Sequence, residues 1–204
     1  TGDNNVGVGN NAGDSLTSGT NNTAVGVSTL ANNTTASDNV AVGHSALFDN
    51  TTGAQNTATG TLALADNTTA ASNSAFGASA LRLNTTGANN TAVGAYALDA
   101  NVNGATNTAV GHQALGANTS ASGNTAVGQQ SLFSTTTGAN NTAIGTNALY
   151  TNTTGGSNVA LGVASLDSNT TGNNNTGLGM NSLGLNTEGS QNVSVGTASM
   201  SANT

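Results

Sequence analysis

The sequence predicts an all-β fold: a parallel β-solenoid (β-roll) of twelve 17-residue coils, with no helices. Three observations carry that prediction: a repeat that never slips, a glycine fixed within it, and only two large apolar residues per copy. Take the Asn before each Ala-Val-Gly-like motif as repeat position one. Copies then begin at Asn5, Asn22, Asn39, Asn56, Asn73, Asn90, Asn107, Asn124, Asn141, Asn158, Asn175 and Asn192, always 17 residues apart, and form a single repeat domain over 1–204. The fifth position is Gly in all twelve copies, from Gly9 to Gly196. The ninth is Leu in ten copies and Met200 in the last, only Gly13 departing. The fourth is apolar in eleven copies, Thr59 being the exception; the twelfth is Asn in ten and the thirteenth Thr in eleven. Self-similarity at a fixed period of this length is the mark of a stacked-repeat architecture.

Each element of the coil follows from its residues. A helix needs apolar residues three and four apart over several turns, whereas here they lie five apart with a Gly between them. That Gly would cost a helix roughly 1 kcal/mol in every copy. The pattern reads instead as two short strands, Thr-Ala-Val and Ala-Leu. Gly turns the first corner and Asn-Thr-Thr-Gly the second, since Gly adopts positive φ freely and Asn tolerates it. Side chains alternate along a strand, so the second and fourth positions (Thr91 and Val93) share one side. The Val side is expected to face the coil interior, with Phe76 replacing a core Val. The third position, Ala in nine copies and Gly or Ser in the rest, then faces outward. A row kept that small either admits a neighbouring chain or avoids exposed apolar bulk. One coil buries too little to fold alone, so stability must come from coil stacked on coil. Twelve coils at ~4.8 Å each give a rod about 55–60 Å long.

Composition excludes several function classes. Charged residues make up 4% of the chain, net charge is −7, and Arg82 is the one basic residue. Nucleic acid is therefore not an expected partner, because phosphate binding needs clustered Lys and Arg. No apolar run approaches the ~18 residues of a membrane-spanning helix. Without Cys there is no disulfide and no thiolate metal site.

The motifs Asn140-Asn141-Thr142-Ala143-Ile144-Gly145 and Ser157-Asn158-Val159-Ala160-Leu161-Gly162 resemble the Asn-Ser-Val-Ala-Ile-Gly-like head repeats of trimeric autotransporter adhesins. The resemblance extends over all twelve copies, and similar repeats look at home in phage tail fibres. It implies a left-handed parallel β-roll, a homotrimer, binding to host surfaces and a bacterial-type extracellular or cell-surface location. This chain departs from the family in its longer period, through the added Asn-Thr-Thr-Gly turn, and in showing no heptad stalk or membrane anchor.

The two ends join in register. Ser201-Ala202-Asn203-Thr204 followed by Thr1-Gly2-Asp3-Asn4 restores an intact turn. Thr1, Gly2, Asn4, Asn203 and Thr204 are accordingly expected at a head-to-tail polymer interface, a heterologous contact that propagates as a filament. The alternative is an excerpt of a longer array, since any whole number of copies joins in register.

Little chemistry is expected. Five of the eight acidic residues, Asp14, Asp49, Asp66, Asp99 and Asp167, occupy the tenth or eleventh position. Asp49 and Asp66 fall in successive coils, ~5 Å apart, where a calcium ion would relieve their repulsion or water would solvate them. His44 and His112 share a position four coils apart, too far for one metal. Phe48, Phe133 and Tyr150 fall at the tenth position and Tyr96 at the seventh, as stacking residues for a glycan or as local packing. Asn-x-Ser/Thr sequons recur at the second corner, at Asn33, Asn50, Asn67, Asn84, Asn118, Asn152 and Asn169, and others precede the first strand at Asn21, Asn89, Asn140 and Asn174. No catalytic residues and no cofactor other than calcium are expected. The leading functional reading is an extracellular structural filament or fibre shaft in a surface or biofilm matrix. The alternatives are an adhesin head binding a surface glycan or matrix ligand, and an ice-binding protein using the Thr row from Thr17 to Thr204.

Overall fold

A computed structural model describes residues 2–201. Twelve three-residue strands form one parallel sheet: β1 (Val6–Val8), β2 (Thr23–Val25), β3 (Val40–Val42), β4 (Thr57–Thr59), β5 (Ser74–Phe76), β6 (Thr91–Val93), β7 (Thr108–Val110), β8 (Thr125–Val127), β9 (Thr142–Ile144), β10 (Val159–Leu161), β11 (Thr176–Leu178) and β12 (Val193–Val195). Their order in the sheet is their order in the chain. Each residue pairs with the one 17 further on, as in Val93↔Val110 and Ala92↔Ala109. This register holds from Val6↔Thr23 to Thr176↔Val193. The chain is thus an all-β parallel solenoid, one repeat per coil. No helix among the described residues is long and apolar enough to cross a membrane.

The orientation of the strand is opposite to the one expected from sequence. The third-position row points inward: Ala41, Ala58, Ala75, Ala92 and Ala109 are fully buried. The valine row points outward, with Val93 38% exposed, and Phe76 lies on the surface rather than in the core. The reason is the thinness of the coil. Its interior holds one leucine per rung, Leu30 through Leu183, all fully buried, flanked by the alanines of the third and eighth positions. A valine on the inner side of the strand would compete with that leucine for the same space. The small row is small because leucine packs against it.

The expected second strand is also replaced. Ala46 and Leu47 are adjacent and both fully buried, which a pleated strand forbids because neighbouring side chains point to opposite faces. The segment instead alternates the sign of φ: Ser45 and Leu47 stand at +53° and +50°, and the same alternation recurs at Ser79 and Leu81. Left-handed φ costs a non-glycine residue roughly 1–2 kcal/mol. Coil-to-coil hydrogen bonds hold it in place, Leu47 N–H donating to Ala63 O at 3.0 Å and Ser45 N–H to Val27 O at 2.9 Å. The fifth-position glycine does turn the first corner, at φ of +131° in Gly94. A Cβ there would lie 2.6 Å from Gly111 O of the next coil.

Two internal columns of asparagine tie the rungs together. At position one, Asn56 Oδ1 accepts from Asn73 N–H at 2.9 Å, while Asn56 Nδ2 donates to Ala70 O at 2.9 Å. At position twelve, Asn101 Nδ2 donates to Asn84 Oδ1 at 2.7 Å and to Gly104 O at 3.0 Å. A buried amide with both ends paired stabilises the stack, whereas an unpaired one would cost about 1–3 kcal/mol.

Candidate functional site: the outward strand face

With valine turned outward, β1 to β12 present a continuous face built from the second and fourth positions. The fourth-position column runs Val8, Val25, Val42, Thr59, Phe76, Val93 and on to Val195, and neither column contains a charged residue. Beside it stand Thr23, Thr57, Thr91, Thr108, Thr125, Thr142 and Thr176, all half-buried. No hydroxyl of these seven threonines has a hydrogen-bond partner among the described residues, so each is open to water or to a partner surface.

The threonines of position thirteen behave differently. Thr51 Oγ1 donates to Thr68 O at 2.9 Å, Thr153 Oγ1 to Thr170 O at 3.1 Å, and Thr170 Oγ1 to Thr187 O at 3.0 Å. From Thr17 to Thr170, the threonines of the row singled out for ice binding spend their hydroxyls on the backbone of the next coil. Position fourteen carries exposed threonines with hydroxyls unpartnered among the described residues, Thr35, Thr52, Thr69, Thr86, Thr137, Thr154 and Thr171, and a second free threonine row is the one on the strand face. Sequence reasoning missed it because it assigned that face to the interior.

Six of the nine charged residues gather at the tenth and eleventh positions. Asn32 Nδ2 donates to Asp49 Oδ1 at 2.8 Å, and Arg82 Nε donates to Asp99 Oδ1 at 3.0 Å. Asp66 lies between these pairs. Partial burial pushes its carboxyl above the ordinary range, the Asp49 charge adds to the shift, and Arg82 opposes it. Burial likewise raises Asp167, against hydrogen bonds from the Ser168 backbone. Among the described residues no third acidic or histidine side chain joins Asp49 and Asp66.

Three of the five aromatic residues make ring contacts along the rod. Phe133 and Tyr150 stack with ring centroids 5.5 Å apart and planes 10° apart, and Phe133 also covers Gly116. Tyr96 meets His112 edge to face at 6.1 Å. Among the described residues His44 has no such neighbour. The described residues enclose no cavity.

All seven corner sequon asparagines, Asn33, Asn50, Asn67, Asn84, Asn118, Asn152 and Asn169, are fully buried. Each gives its amide to the carbonyl three residues on, as Asn84 does to Gly87 O at 2.9 Å. The folded corner turns these side chains inward, which is opposite to what a surface glycan needs. Of the residues expected at a polymer interface, Thr1, Asn203 and Thr204 lie outside the described residues. Gly2 packs against the Gly19 backbone, where it leaves no room for a Cβ, and Asn4 Nδ2 donates to Asn21 Oδ1 at 3.3 Å.

These features define a parallel β-solenoid repeat protein with one uncharged outer sheet face. No family model, curated protein or solved structure matches the chain.

Proposed function

We propose that this chain is a structural rod of an extracellular or cell-surface fibre, built by association with further copies of itself. The observation that supports this reading best is the outer strand face: one uncharged, apolar-and-threonine surface running the length of an unbroken ladder. Eleven steps of ~4.8 Å and two outward rows ~7 Å apart make a face about 50 Å long. The two rows alone cover about 350 Å², so the flanking residues must contribute as much again to reach the ~800 Å² per partner of a standard interface. Its corrugation repeats once per coil, so a second copy meets it with matching spacing. The resemblance to trimeric adhesin heads supports three chains and a left-handed coil. Rungs of one length and register also allow coils to be added end to end, which is the head-to-tail filament.

Electron microscopy and sedimentation of the purified chain test the proposal. Fibres or a defined oligomer are expected, and Val93→Asp with Val110→Asp should disperse a lateral assembly while leaving the inward face untouched. Single-chain rods at all concentrations would reject it.

A second reading is supported by the seven free threonine hydroxyls, spaced once per coil beside the valines. Such an array is suited to ordering water, and so to ice. Thermal hysteresis that vanishes in Thr108→Asp, and not in Thr153→Val, would favour this reading over the fibre.

A further inference from the structure

The fold sets apart two groups of sequons that the sequence leaves equivalent. In the corner set the amide is buried and bonded. In the other set the asparagine occupies position seventeen, two residues before the strand. Asn89, Asn140 and Asn174 are exposed, at φ of +60°, +59° and +58°, and no partner among the described residues bonds to their side chains. Asn21 shares the position but gives its amide to Asp38 Oδ1 at 3.0 Å. Asn32 and Asn192 carry sequons too, and their amides go to Asp49 Oδ1 and Asn175 Oδ1.

We propose that Asn89, Asn140 and Asn174 are acceptors for N-linked glycans, set in one column along one edge of the rod. Each opens the triplet Asn-Asn-Thr, and its third residue, Thr91, Thr142 or Thr176, is one of the strand-face threonines with an unpartnered hydroxyl. A transferase that reads Asn-x-Thr needs both groups at once: an amide free to rotate and a hydroxyl free to bond. The fold supplies both at these sites. In the transfer, Asn Nδ2 forms a bond to the anomeric carbon of an oligosaccharide. The bond from that carbon to a polyprenyl diphosphate donor breaks, the diphosphate leaves with the electron pair, and one Nδ2 proton passes to a base of the transferase. The third-residue threonine belongs to the face proposed for association, so modification precedes assembly. The three glycans would stand three coils and two coils apart, ~14 Å and ~10 Å.

The proposal rests on the reading of the chain as an exported rod, and expression in a secretory eukaryotic host tests it separately from assembly. The secreted, folded protein is weighed against 19.5 kDa and mapped by peptide mass spectrometry after enzymatic sugar release in heavy-oxygen water. The expected result is sugar at Asn89, Asn140 and Asn174 and none at the seven corner asparagines. Thr91→Val should remove one glycan without moving the melting midpoint, because Val40, Val159 and Val193 already occupy that repeat position. Asn89→Gln is the second variant, since Gln55 and Gln191 occupy that one. A secreted protein bare at all three sites, or one carrying sugar on a corner asparagine, would overturn the proposal. Micrographs of the same sample report on the fibre independently.

Discussion

The coils from Asn39 to Asn118 and those from Asn158 to Ser201 have the same backbone but different interiors. In the first group alanine fills both small inner rows, as in Ala92 with Ala97 and Ala109 with Ala114. In the second group the rows turn polar: Ser165, Ser182 and Ser199 replace alanine at position eight, and Gly177 and Ser194 replace it at position three. The serines are placed where a carbonyl of the next coil is within reach. Ser165 Oγ donates to Gly177 O at 2.9 Å and Ser182 Oγ to Ser194 O at 3.1 Å. Gly177 is part of that arrangement, because a Cβ there would sit 2.6 Å from Ser165 Oγ. Ser131 stands between the groups with Ala143 above it, and its buried hydroxyl has no partner among the described residues. The first coil shows the same logic with apolar groups: Gly13 replaces the ninth-position leucine, and Leu16, from the twelfth position, fills the space with its Cδ1. The difference teaches that the rung geometry is fixed while its filling is negotiated between neighbours.

The largest effect should fall on what both regions share. Gly94→Ala and Gly179→Ala each place a methyl 2.7 Å or less from the next coil's backbone, at φ of +131° and +130°. Both should lose roughly 3–5 kcal/mol, from strain and overpacking together. Denaturant unfolding would read this, and a small loss at either site would break the view that the corner is common to all coils. Next is the compensated pair. Gly177→Ala should cost about 1–3 kcal/mol alone and markedly less in a Ser165→Ala background, which recreates the central interior. Additive effects would mean that the two positions do not share space. Ser131→Ala should stabilise the chain by about 1 kcal/mol, since it removes an unpaired buried hydroxyl, whereas Ser182→Ala should not.

The smallest effect is electrostatic and belongs to the central coils. Asp66 has its carboxyl pushed up, first by burial and then by Asp49, so the folded chain holds that proton more tightly than the unfolded chain. Stability at this site therefore falls as pH rises from the unfolded carboxylate range through the raised folded value, and the cost persists at neutral pH. Asp66→Asn should raise the melting midpoint at pH 7 and give no gain near pH 3. An equal shift at both pH values would assign the effect to packing.

Much of the fold is legible in the sequence because the period is exact in every copy: the rung length, the parallel register and the glycine corner follow from counting. The facing of the strand is not legible. Alternation places Ala92 and Val93 on opposite sides but does not say which side is inside. The usual rule that the larger apolar residue is buried fails here, since leucine already occupies a narrow interior. The left-handed residues at positions seven, nine and seventeen are hidden for a related reason. Leu98 at φ of +52° contradicts local preference and is held by its neighbours above and below. The sequons are visible as triplets, but only burial separates Asn84 from Asn89.

The sequence by itself determined that equivalent residues form columns, because a strict repeat of one coil must place each residue over its counterpart. Only the tertiary structure decided which columns are inside. That choice depends on volumes filled jointly by the strand, the opposite corner and the next coil, and no single repeat contains that information.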